Sequence, residues 1–114
     1  MTRSVRLVLD DILESISYIE AYVAGMSKED FDEDTLRQDA VIRRLEMIGQ
    51  AVKDLPDDLR DRHPEVPWKK IAGARDILSH QYFRVDLDLT WDMVELNVPE
   101  LKRDVQLILE RLGE

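Results

Sequence analysis

The stretch VRLVLDDILESISYIEAYV, residues 5–23, sets Val5, Leu9, Ile12, Ile16, Ile19 and Val23 at alternating steps of four and three. That rhythm follows the 3.6-residue turn and predicts an amphipathic helix with one apolar stripe. Gly25 is a natural stop for it, since glycine accepts the left-handed conformation in which helices commonly end. Beyond it, Ser27 to Asp34 reads as a solvated polar connector. Its acidic run Glu29-Asp30-Phe31-Asp32-Glu33-Asp34 lacks the central glycine and terminal glutamate of a calcium loop, and Asp34 is placed to cap the next helix.

The same rhythm returns in Val41, Leu45, Ile48, Val52 and Leu55, and Pro56 ends that second helix because proline disfavours a helical residue before it. Residues 57–67 form a second connector, with a short helical turn expected near Asp58 to Arg62 and with Pro64 and Pro67 as punctuation. Pro67 suits the first turn of a third, shorter helix through Trp68, Ile71, Ala74, Ile77 and Leu78 towards Tyr82. Asp86 is then placed to cap a fourth region carrying Val94, Val98, Leu101, Val105, Ile108 and Leu112. Pro99 interrupts that run, so a kink or short break is predicted near Asn97. Such stripes, joined by short polar connectors, are best satisfied by an all-α fold, an antiparallel four-helix bundle with a kinked or broken C-terminal helix.

Composition bounds the function. A chain of 114 residues, with 44% hydrophobic and 36% charged residues, suits one globular domain over residues 1–114. The absence of cysteine excludes disulfides, thiol catalysis and thiolate metal sites. With only two histidines and no Glu-x-x-His pairing, a metal site is not expected, nor is any cofactor. No apolar run approaches the roughly 20 residues of a membrane span, and no signal-peptide core is evident, so a cytoplasmic protein without membrane attachment is expected. A net charge of -9 argues against broad attraction to nucleic acid. Charge is nevertheless segregated: Lys69, Lys70, Arg75 and Arg84 stand against Asp76 alone between Pro67 and Arg84.

That basic stretch also holds the candidate chemistry, Arg75-Asp76-Ile77-Leu78-Ser79-His80-Gln81-Tyr82. Asp76 and His80 are i,i+4 neighbours, so the carboxylate could hold one imidazole nitrogen and raise the pKa of the ring. Arg75, Ser79 and Tyr82 share a sector of roughly 60°, whereas Arg75 and His80 lie about 140° apart on an ideal helix. A single copy therefore cannot easily aim both at one atom, but a two-fold dimer would line a cleft with two arginines and two histidines. A histidine near neutral pKa can move the proton of an RNA 2′-hydroxyl or of the leaving 5′-oxygen, and arginine can hold the phosphate oxygens. DNA lacks the 2′-hydroxyl and would not react this way. Spacing alone leaves a blander alternative open: His80 caps a helix end and Arg75 joins a surface ion pair.

The stretch from Pro67 to Phe83, with its Pro-Trp, Ile-Ala-Gly, Arg75, Asp76, His80 and Tyr82, closely resembles the signature of HepT-like proteins in the HEPN superfamily. The likeness extends to Arg43-Arg44-Leu45-Glu46-Met47-Ile48-Gly49-Gln50-Ala51, to Trp91 and to Pro99-Glu100-Leu101. It implies a HEPN-type helical fold and a metal-independent toxin ribonuclease working as a homodimer, paired with an MntA-type nucleotidyltransferase antitoxin. By that match Arg75 and His80 are the catalytic pair, with Asp76 in the family's polar position; from their place in the basic stretch, Asp76 and Ser79 are supporting residues and Lys69, Lys70 and Arg84 RNA-binding candidates. Tyr82 takes the position at which adenylylation silences family members, and an attached anion there would compete with RNA for Arg75. Two departures matter: Asp76 stands where asparagine is also common, and Gln50 where glutamate is more usual.

Two other functional classes remain compatible with these residues: a non-catalytic module binding a nucleotide or a partner nucleotidyltransferase, and a purely structural dimer. The need for His80 separates them from a nuclease. Trp68 and Trp91 read as core or interface anchors, and His63, between Arg62 and Pro64, as an ordinary loop residue.

Overall fold

Helix α1 (Val5–Val23) begins where the Ser4 hydroxyl accepts a hydrogen bond from the Leu7 N–H at 3.1 Å, satisfying one of the free donors of the first turn. The computed structural model describes residues 4–79 and 86–113, with the backbone alone over 74–79. Along α1, Leu9, Ile12, Ile16 and Ile19 are buried, as the stripe requires. The chain then turns at Gly25, whose φ of 75° lies in the left-handed region; a side chain there would meet no neighbour, so backbone conformation is what favours glycine.

The stretch expected to be a solvated connector folds instead into a short helix, α2 (Lys28–Asp32). Ser27 and Asp30 form a reciprocal capping box at its start, and Phe31 is fully buried in the core. Gln38 holds its far end by donating to the carbonyls of Phe31 and Asp32. Helix α3 (Thr35–Asp54) starts on Asp34, whose carboxylate accepts from the Arg37 N–H at 3.0 Å, and it stops at Leu55 before Pro56. Arg37 reaches back to the Tyr22 carbonyl at 2.7 Å, closing the end of α1. Helix α4 (Asp57–Arg62) is the short turn expected there, one residue longer at its start.

Helix α5 (Trp68–Ser79) follows, and then α6 (Leu87–Asp92), capped by the Asp86 carboxylate on the Leu89 N–H at 2.9 Å. The interruption expected near Asn97 is a π-helical turn over Met93–Asn97, which joins α6 to α7 (Val98–Leu112) without leaving helical geometry. The Val98 N–H reaches the Met93 carbonyl across this wider turn. Pro99 stands in the first turn of α7, where its missing donor is tolerated.

Every regular element among the described residues is helical, so the fold is all-α. Helix α1 packs against both α3 and α7, α3 packs against α5, and α2 lies against α3 and α6. The long helices correspond to those expected, while α2 adds a buried aromatic anchor. Lys28 links α2 to α6 through Asp88 at 2.6 Å while pairing with Asp32 at 2.9 Å, and these two carboxylates raise its pKa above the ordinary lysine value. No helix among the described residues is long and apolar enough to cross a membrane.

Candidate functional site

The helix that carries the candidate residues is fixed at its start by Trp68. Its ring is buried, and its Nε1–H donates to the His63 carbonyl at 3.0 Å, which also accepts from the Val66 N–H. A buried indole both excludes water and satisfies its polar handle in this way. Pro67 lies one residue ahead of the helix, at the cap position, with its carbonyl accepting from the Ile71 N–H. His63 ends α4; its Nδ1 is 3.4 Å from Glu65 Oε1 without a hydrogen bond. The imidazole thus belongs to the joint between α4 and α5.

One turn on, Ile71 and Ala72 are buried. Ile71 shares a small apolar seam with Leu45 and Ile48 of α3, Met93 and Asn97 of the π turn, and Val98 and Leu101 of α7. This seam sets the axis of α5. Backbone helix continues through Arg75, Asp76 and Ser79. The side chains of those three residues, and all of His80, Tyr82 and Arg84, lie outside the described residues.

Lys69 and Lys70 are exposed on the first turn of α5, about 9 and 7.5 Å before Arg75 along the axis. They edge a groove of about 680 Å³ whose other walls are Asp57, Arg60, Asp61, Pro64, Val66, Pro67 and Trp68. Arg60 is a member that sequence reasoning missed. Its guanidinium pairs with Asp57, and its Nε is buried without a hydrogen-bond partner. Three cations face two carboxylates in this groove, in a chain that has 16 Lys and Arg against 25 Asp and Glu.

The second stretch of the family resemblance, Arg43 to Ala51, lies on α3, which packs directly against α5. Gln50 nevertheless faces away from the seam around Ile71. It lines a groove of about 380 Å³ with Asp11, Glu14 and Ser15 of α1, and its amide donates to Asp54 at 3.2 Å. Nearby, the Arg44 guanidinium stands 4.1 Å over the Tyr18 ring, a cation–π contact. No group of three or more His, Asp or Glu side chains among the described residues is arranged to hold a metal ion.

Comparison with known proteins matches residues 12–108 to the family described as "Ribonuclease HepT-like". A Methanocaldococcus jannaschii protein named "Gamma-glutamylcyclotransferase and putative RNase" is 46% identical over the whole of this chain, which spans about half of that protein, 51% of its length. A Caldanaerobacter subterraneus protein named "Putative RNase" is 42% identical over 93% of this chain and 95% of its own. "Probable ribonuclease HepT" of Thermococcus cleftensis is 45% identical over 90% of this chain and 93% of its own. No solved structure matches the chain significantly.

Proposed function

The chain belongs to the HepT-like ribonuclease family, and from that premise we propose that it is the toxin of a toxin-antitoxin pair, a metal-independent endoribonuclease acting as a homodimer of single HEPN domains. The observation that carries this reading is the extent of the match: residues 12–108 take in the whole stretch from Arg75 to Tyr82 together with its supporting helix α3.

The chemistry follows from the residue types. One His80 takes the proton of the RNA 2′-hydroxyl as the 2′-oxygen attacks phosphorus, and the partner's His80 gives a proton to the leaving 5′-oxygen. A P–O bond forms and a P–O bond breaks, leaving a cyclic phosphate and a 5′-hydroxyl. The paired Arg75 guanidiniums hold the phosphate oxygens while charge accumulates on them. In this reading Asp76 serves to orient the His80 imidazole, Ser79 supports the pair, and Lys69, Lys70 and Arg84 extend the cationic path. An MntA-type nucleotidyltransferase transfers AMP from ATP to the Tyr82 hydroxyl, forming an O–P bond and releasing pyrophosphate and the phenolic proton, and the added phosphate occupies the cleft in place of RNA.

The test is cleavage of a defined tRNA and mRNA panel in chelator by wild type, Arg75→Ala and His80→Ala, with helicity checked by circular dichroism. Loss of at least 100-fold in both folded variants is expected for groups acting in the transition state. An inactive wild type shown by mass spectrometry to be unmodified at Tyr82 would overturn the nuclease reading in favour of a nucleotide- or partner-binding module.

A further inference from the structure

The groove between α4 and the first turn of α5 has a composition that the cleavage chemistry does not call for. Lys69 and Lys70 are exposed on its edge and enter no ion pair with another described residue. Arg60 is three-quarters covered, since its side chain is 27% exposed, and is restrained by Asp57, which is itself 89% exposed. Pro64, Val66, Pro67 and Trp68 line the groove as well, with Val66 and Trp68 buried and the two prolines exposed. Exposed cationic side chains lining an open groove suit an extended polyanion better than a compact ion, which would need converging donors.

The groove opens at the N-terminal end of the same helix that carries Arg75, one to two turns away along the axis. On an ideal helix Lys70 and Lys69 lie about 140° and 120° round from Arg75, so a strand held at a phosphate near Arg75 reaches them by crossing over α5, and only a longer strand spans both. We infer that the α4–α5 groove is an extended RNA subsite, in which Lys69, Lys70 and Arg60 bind backbone phosphates of single-stranded RNA flanking the one that is cut. This inference rests on the ribonuclease reading and adds to it a requirement for substrate length.

Asp57 gives the subsite a gate of opposite sign. In the free protein its carboxylate occupies the Arg60 guanidinium. A phosphate that takes the same guanidinium nitrogen displaces it, and the carboxylate, 89% exposed, can swing into water. Removing its charge therefore favours RNA, whereas removing the lysine charges disfavours it.

The experiment is fluorescence anisotropy with the purified full chain and 2′-O-methyl RNA oligonucleotides of increasing length, which cannot be cut because the attacking oxygen is blocked. In Lys69→Gln/Lys70→Gln, affinity for the longer oligonucleotides should fall about tenfold, and the salt slope should shrink by about 1.4, the share of two single-strand phosphates. Asp57→Asn should bind the same oligonucleotides several-fold more tightly. Arg111→Gln, at the end of α7 and outside the groove, serves as the charge control and should change neither quantity. An unchanged length dependence and salt slope in the lysine variant, with cleavage by wild type intact, would overturn the subsite and leave the ribonuclease standing. Equal weakening in Arg111→Gln would overturn it as well, by showing a general charge effect. Wild type that neither binds nor cleaves RNA would overturn both readings.

Discussion

Phe31 of α2 and Trp91 of α6 meet in the core with their ring centroids 5.2 Å apart and their planes tilted by 40°. Phe31 is fully buried and Trp91 nearly so, which makes this pair the join between the short second helix and the C-terminal rod. Offset and tilted ring pairs of this kind add to simple area burial. Truncating Phe31 removes its half of the pair and leaves a cavity beside Trp91. Phe31→Ala is expected to cost about 3–5 kcal/mol, read as a lower urea midpoint with little change in slope, while Phe31→Leu should cost clearly less.

The Asp104 carboxyl on α7 is less acidic than an ordinary aspartate. Burial is the main cause raising its pKa above the ordinary 3.8, helped by the neighbouring carboxylates of Glu100 and Glu65 and opposed by Arg103. The folded state therefore holds this proton more tightly than the unfolded chain does, and stability is lost as pH rises from 3.8 through the raised value. Asp104→Asn should raise the urea midpoint at neutral pH. The gain should vanish below the ordinary aspartate pKa, where wild-type Asp104 is already neutral.

The Trp68 hydrogen bond to the His63 carbonyl fixes the start of α5. Trp68→Phe keeps most of the buried ring but gives up that bond. The expected loss is about 1 kcal/mol in chemical denaturation, because a neutral hydrogen bond contributes a modest net amount and the carbonyl retains Val66 as a donor.

Tyr82→Phe tests the proposed silencing. The variant lacks the oxygen that would accept an adenylyl group, so ATP and an MntA-type partner should no longer add the mass of AMP. RNA cleavage should persist in the presence of the partner. Undiminished AMP incorporation in the variant would move the modification to another residue.

Much of this fold is legible because the stripes are long. Leu9, Ile12, Ile16 and Ile19 fall inside as their spacing requires, and Asp34 and Asp86 cap where their short acceptors allow. Helix α2 is hidden from the same reasoning, because five residues cannot display a period and its single apolar residue, Phe31, stands among acids. A local clue was nevertheless present in Ser27 and Asp30, whose three-residue spacing is that of a capping box. For the π turn, Pro99 indicates that the hydrogen-bond ladder must be interrupted but not whether the chain will bend, break or widen.

The candidate site divides in a similar way. Lys69 and Lys70 stand out in sequence because they are clustered and the surrounding chain is acidic. Arg60 does not, since Asp57, Asp58 and Asp61 surround it in sequence and only folding turns it into a wall of the groove. Gln50 belongs to the α3 stretch of the resemblance, yet the helix turns it towards α1. Sequence separation could not reveal that choice of face.

The turn over Met93–Asn97 acts as a phase shifter in an otherwise continuous rod. One surplus residue in a helix rotates everything downstream by about 100° relative to everything upstream. The upstream part, α6, directs Trp91 at Phe31 and lies against α2, while the downstream part, α7, packs against α1 and buries Leu101, Val105 and Ile108. Without the offset, a straight rod correctly phased for one neighbour would present the wrong side to the other. The surplus residue thus lets a single chain segment obey two packing partners that differ in azimuth, and it makes the length of this segment as constrained as its hydrophobicity.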